Sequence, residues 1–134
     1  MKVLKKKVAG HDFEFSNDLS LRLFDFSVYV IRFLRRLPEN AEGRVIKNQL
    51  IKSATSSCAN YEEAQAGVTK KEFAMKVGIS LKEMRETNYW LRIIMATELN
   101  GEKELSDLLR ESNELRLILG SIISKLHHKA NAHA

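Results

Sequence analysis

The chain has 134 residues, 44% of them hydrophobic and 29% charged, with one cysteine and a formal net charge of +5. That length suits one domain with its own core. No apolar run reaches the ~18 residues of a membrane span, and one cysteine cannot close an intramolecular disulfide. The start, MKVLKKKVAG, carries lysines but not the apolar segment of a secretory signal, so the expected setting is the cytoplasm.

The charge is unevenly placed. Residues 1–60 hold eleven Lys/Arg against six Asp/Glu, whereas residues 61–134 hold eleven of each. The positive excess therefore belongs to the first half of the chain, which favours contact with a polyanion.

Residues 1–15 read as a basic N-terminal arm, bearing Lys2, Lys5, Lys6 and Lys7 before the short alternation HDFEF. Two forms stay open for it, a flexible tail or a short extended segment packed on a neighbour. A first helix is expected to begin near Ser16–Asn17–Asp18, since each of these side chains can accept a free first-turn amide. Leu19, Leu23, Phe26, Val30, Phe33 and Leu37 then recur at helical spacing, with Phe24, Ile31 and Leu34 widening the apolar face. Pro38, the only proline, stops this helix.

A second helix is expected from about Ala41 to Ala66, with Val45, Ile46, Leu50, Ala54, Cys58, Tyr61 and Ala64 as its apolar positions. A polar line, Gln49, Ser53, Ser56, Asn60 and Glu63, follows one face through two heptads. Gly67–Val68 is the expected turn, and Thr69 with Glu72 has the T-x-x-E spacing of a capping box. The third helix should run from about Lys70 to Leu99 on Phe73, Val77, Leu81, Met84, Leu91, Ile94 and Met95. Lys76, Ser80, Glu83 and Thr87 repeat the polar line along it. Asn100–Gly101 ends it, the glycine suiting a left-handed residue after a helix. A fourth helix, Glu102 to His127, carries the strongest apolar stripe, including Leu105, Leu108, Leu115, Leu119 and Ile122. The residues beyond it read as a frayed tail.

Short connections force sequence neighbours to run antiparallel. The expected fold is all-α, an antiparallel up-down-up-down four-helix bundle over residues 16–128, with residues 129–134 as a C-terminal tail. Counting across the Val68 turn pairs Asn60 with Lys76, Ser56 with Ser80, Ser53 with Glu83 and Gln49 with Thr87. Together with Glu63, these eight residues would form a partly buried structural polar seam that fixes the register of the two helices.

The same residues carry a resemblance. S-A-T-S-S-C-A-N-Y-x-E-A at Ser53–Ala64, T-K-K-E-F at Thr69–Phe73 and I-S-L-K-E-M-x-E-T-x-Y-W-L at Ile79–Leu91 resemble the bacterial four-helix-bundle proteins encoded in intervening sequences of 23S ribosomal RNA genes. That family is related to the accessory variability determinant of diversity-generating retroelements. The resemblance spans about residues 20–126. It implies a left-handed bundle assembled into a closed homopentamer with a central channel, and no enzymatic activity. For the retroelement relatives it implies a basic surface that binds nucleic acid and a partner reverse transcriptase, a role that nothing in this sequence transfers. Asn60, Glu63, Glu83 and Glu86 fall on the family's recurrent polar positions.

Catalytic machinery is not visible. A di-iron centre needs Glu-x-x-His on two helices, and no histidine lies between His11 and His127, so no metal or cofactor is expected. His127, His128 and His133 at the end could take up adventitious metal and little more. Cys58 sits among Ala and Ser on a packing helix and reads as a small buried hydrophobe. Trp90 and Tyr89 read as core or interface residues, since adjacent positions cannot share one helical face. The nucleic-acid-binding candidates are Lys2, Lys5, Lys6 and Lys7 on the arm, Arg32, Arg35 and Arg36 on the first helix, and Arg44, Lys47 and Lys52 on the second. The function expected is a non-enzymatic, ring-shaped homo-oligomer with RNA or DNA as the candidate partner. The alternative is a scaffold that recruits another protein and has no nucleic-acid role.

Overall fold

The computed structural model describes residues 5–7, 14–16, 18–67, 69–97, 99 and 102–132. Four helices follow a short ribbon: β1 (Lys5–Lys7), β2 (Glu14–Ser16), α1 (Leu19–Leu34), α2 (Ala41–Gln65), α3 (Lys70–Ala96) and α4 (Glu102–Ala132). The strands pair antiparallel, Lys5 opposite Ser16 and Lys7 opposite Glu14, and β2 lies against α1. Within the arm, the described residues 5–7 and 14–15 are extended. Its strand partner lies within its own chain.

Local chemistry sets the helix ends. Asp18 caps α1 by accepting from the Leu21 amide at 3.2 Å. The helix stops at Leu34, three residues before the last periodic apolar position. Arg36 and Leu37 then donate to the carbonyls of Phe33 and Leu34, each at 3.1 Å, and tighten the chain ahead of Pro38. Leu37 stays buried outside the helix. Asn40 caps α2 through the Gly43 amide at 2.8 Å, and Thr69 caps α3 through the Glu72 amide at 3.1 Å. The expected Gly101 stop and the second turn residue, Val68, lie outside the described residues. The fourth helix continues to Ala132, past the expected end at His127, so residues 129–132, expected as tail, are helical.

The helix backbones are neighbours in the cycle α1–α2–α3–α4–α1, and among the described residues the backbones of the diagonal pairs stand farther apart. Side-chain bonds show the antiparallel sense, since partner numbers fall as residue numbers rise. Along α1 and α4, Arg22 bonds Glu111 and Arg36 bonds Glu104; along α2 and α3, Ser53 bonds Thr87 and Glu63 bonds Lys76. The core is built where the 3.6-residue period places it: Leu23, Phe26, Val30 and Phe33 of α1 meet Leu50 and Ala54, Val77, Met84, Leu91 and Ile94, and Leu105, Leu108, Leu115 and Leu119. Three residues assigned to apolar faces point outward instead, namely Phe24, Val45 and Met95. A helix with two neighbours has a limited inward arc, and these positions fall beyond it.

Between α2 and α3 the polar residues approach closely, with partners one or more positions away from those counted across the turn. Ser57 Oγ donates to the Ser80 carbonyl at 2.8 Å, and Ser80 Oγ donates to the Ser57 carbonyl at 2.7 Å. Thr87 Oγ1 lies 2.9 Å from Ser53 Oγ, and Lys76 Nζ reaches Glu63 at 2.6 Å. The pairs Asn60–Lys76, Ser56–Ser80, Ser53–Glu83 and Gln49–Thr87 are therefore corrected. Counting across a turn sets the axial level, but adjacent residues lie ~100° apart around a helix, so Ser57 rather than Ser56 faces α3. Ser56 is half-buried and accepts from Asn60 Nδ2 within α2, Gln49 is half-buried, and the Glu83 carbonyl accepts from Thr87. Because Ser57 and Ser80 are both fully buried, Ser57→Val is expected to cost about 1–3 kcal/mol, from lost hydrogen bonds and added bulk. A denaturant midpoint equal to that of the native chain would refute a structural role for the pair.

Candidate nucleic-acid interface

The ten basic candidates do not converge on one patch. Lys5, Lys6 and Lys7 lie in β1, whose partner strand packs on α1, while Lys2 lies outside the described residues. Arg32, Arg35, Arg36 and Arg44 gather instead at the corner where α1 gives way to α2. Arg32 lies thirteen positions beyond Leu19, the first residue of α1, ~20 Å at ~1.5 Å per residue. Lys47 and Lys52 continue the corner along α2.

Acidic neighbours remove two of the six helical candidates. Arg36 forms an ion pair with Glu104 of α4, and Lys47 Nζ sits 2.5 Å from a Glu39 oxygen, holding that carboxyl below its usual range. Arg32, Arg35, Arg44 and Lys52 are exposed and have no ion pair within 4 Å among the described residues. The pairing of Arg36 has no local signature in the sequence, because Glu104 is 68 positions away and meets it only through the α1–α4 contact.

Cys58 and the Arg22–Glu111 pair belong to the packing of the bundle. Burial pushes the Cys58 thiol up to about 11, so at neutral pH it stays protonated and a poor nucleophile. Glu111, on the apolar stripe of α4, is held by Arg22, with Nε to Oε2 at 2.7 Å and Nη2 to Oε1 at 2.6 Å. Burial raises the Glu111 carboxyl, and Arg22 only partly opposes that. Sequence reasoning missed this pair. Its signal was a glutamate between Leu108 and Leu115, in register with both. Among the described residues no group of three or more His, Cys, Asp and Glu is placed to hold a metal ion, and no helix is long and apolar enough to cross a membrane. His127 and His128 are exposed on the last turns of α4, and His133 lies outside the described residues.

The fold and its polar helix contacts define an all-α four-helix bundle without a recognisable catalytic constellation among the described residues. The chain belongs to the 23S rRNA-intervening sequence protein family, whose model matches residues 17–121. Its structure is similar to the crystal structure of a protein of unknown function from the S23 ribosomal protein family of Bacteroides thetaiotaomicron. The TM-score is 0.73 at 29% sequence identity, over 79% of this chain and 98% of that one. No curated protein matches the chain.

Proposed function

We propose that the chain is a non-enzymatic cytoplasmic bundle that assembles into a ring-shaped homo-oligomer, a homopentamer by family resemblance, and binds nucleic acid without sequence preference. The observation that carries the binding is the exposed positive charge at the α1–α2 corner, Arg32 and Arg44 with Lys52 beyond, none of them in an ion pair within 4 Å among the described residues, although Glu39 acts on Arg44 and Glu83 on Lys52 at longer range. A ring repeats this charge about its axis, so individually weak phosphate contacts add up. The family's ribosomal RNA label and the S23 ribosomal name of the structural neighbour agree with an RNA partner. Lysine and arginine without a base-reading set position a backbone rather than read a sequence.

Gel-shift titration with RNA and with duplex DNA tests this, at low and at moderate salt. The native chain is expected to bind at low salt. Replacing Arg32, Arg44 and Lys52 together by alanine should weaken binding to all sequences alike, each lost contact lowering the salt slope by about one. No binding at low salt would turn the reading to a scaffold for another protein.

A further inference from the structure

The connection between α1 and α2 sets one acidic side chain among basic ones. Asn40 Oδ1 accepts from the Gly43 amide at 2.8 Å, and Gly43 packs so closely on the Pro38 carbonyl that a methyl group would overlap it. Glu39 lies between these two contacts, so its backbone is held while its side chain stays 77% exposed. One of its carboxylate oxygens accepts from Lys47 Nζ at 2.5 Å, a bond made across eight positions. Lys47 is the less exposed partner, its side chain 13% accessible. Arg44 stands three residues before Lys47, on the same side of α2. The hydrogen bond from Lys47 and its charge, then the charge of Arg44, hold the Glu39 carboxyl below its usual range. Two cations thus act on one anion.

A carboxylate and a phosphodiester offer the same kind of acceptor, oxygens that share one negative charge. The Glu39 carboxylate therefore marks where this end of α2 takes an anion. Its hold is weak, because water screens an exposed ion pair. A turn about the Glu39 side-chain bonds releases Lys47 without moving the pinned backbone. A nucleic acid already in contact with Arg32, Arg44 and Lys52 brings its next phosphate to Lys47 at high effective concentration. A single small anion lacks that advantage and meets Glu39 already in place.

We propose that Arg44 and Lys47 form one phosphodiester subsite of the basic corner, and that Glu39 is its built-in competitor, seated on Lys47 in the free protein and displaced by a backbone phosphate. The proposal rests on the nucleic-acid reading above and adds a regulating residue to the same surface. Lys47, paired in the free protein, thereby returns to the binding set.

Gel-shift titration with single-stranded RNA and with duplex DNA over a salt series tests it. The chains compared are the native one, Glu39→Gln, Glu42→Gln and the double variant Glu39→Gln with Lys47→Gln, with circular dichroism to confirm the helices. Glu42 is the charge-matched control: it is exposed in the first turn of α2 and makes no ion pair within 4 Å among the described residues. Glu39→Gln should bind about fivefold more tightly at low salt, the upper range for one exposed ion pair. Its salt slope should steepen by about 0.7 on the single strand and about 0.9 on the duplex for each copy in contact, because Lys47 then releases a counterion rather than a carboxylate. Glu42→Gln should leave the slope unchanged, and the double variant should lose both gains. A Glu39→Gln chain no tighter than the native one, or matched in affinity and slope by Glu42→Gln, overturns the competitor and leaves the nucleic-acid reading standing. Gains that survive in the double variant overturn the place given to Lys47. If neither the native chain nor Glu39→Gln binds either probe at low salt, the nucleic-acid reading falls together with this one.

Discussion

Arg22→Met is expected to lower the free energy of unfolding by about 3–5 kcal/mol, because it strands a carboxylate inside the α1–α4 contact. Glu111 is 2% exposed, and Arg22 meets both of its oxygens. The second arginine contact, to Glu114, is made at a side chain that is 57% exposed and contributes little. Without the guanidinium, the Glu111 carboxyl rises further than burial already pushes it. A carboxyl whose folded pKa exceeds its unfolded one adds stability when protonated and loses it as pH climbs through the folded value. The deficit of Arg22→Met should therefore shrink as the pH is lowered into and below that range. Arg22→Met combined with Glu111→Leu removes both charges and should recover most of the loss, since an apolar pair of similar volume replaces a buried ion pair at little cost. Urea unfolding of the native chain, the single and the double variant at two pH values checks all three expectations. A single-variant loss below ~1 kcal/mol would mean that water reaches Glu111 and that the pair behaves as a surface bridge.

Gly43→Ala reverses the usual sign of such a change. Within a helix, alanine is normally favoured over glycine by about 1 kcal/mol. At Gly43 a methyl group would overlap the Pro38 carbonyl oxygen and come within 2.8 Å of Asn40 Oδ1. The first of these is backbone, and the second is the atom that caps α2 through the Gly43 amide. Relief would require the α1–α2 corner to open and the cap to move. We expect a loss of about 1–3 kcal/mol, as for an overpacked core position. Gly120→Ala in α4 is the matched control, because a methyl group there meets nothing within 4 Å, and propensity alone should add up to about 1 kcal/mol. Thermal melts of the two variants should move in opposite directions. A Gly43→Ala melt above that of the native chain would show that the corner yields freely.

Features confined to one helix were legible in the residues. Thr69 and Glu72 marked the start of α3, Pro38 marked the limit of α1, and the spacing of Leu23, Phe26, Val30 and Phe33 marked a buried face. Features that depend on two helices were less so. Arg22 and Glu111 are 89 positions apart, and no local pattern joins them. Ser57 rather than Ser56 meets Ser80, since a heptad line drawn on one helix does not say which neighbour it faces. Phe24 faces outward although it is apolar, since hydrophobicity says that a side chain favours leaving water but not into which contact. The basic residues show the same limit: their clustering could be read from spacing, whereas the neutralisation of Arg36 by Glu104 required the fold.

The chain has a single indole, and its place gives it a use. Trp90 lies half-buried on α3, its N–H 3.4 Å from a Glu86 oxygen and its ring 5.0 Å from that of Tyr89, edge to face. Its emission colour reports the polarity around that one helix side and nothing else in the molecule. Dilution of the unlabelled protein in a fluorimeter thus separates a covered from a wetted surface, with no dye, tag or engineered probe.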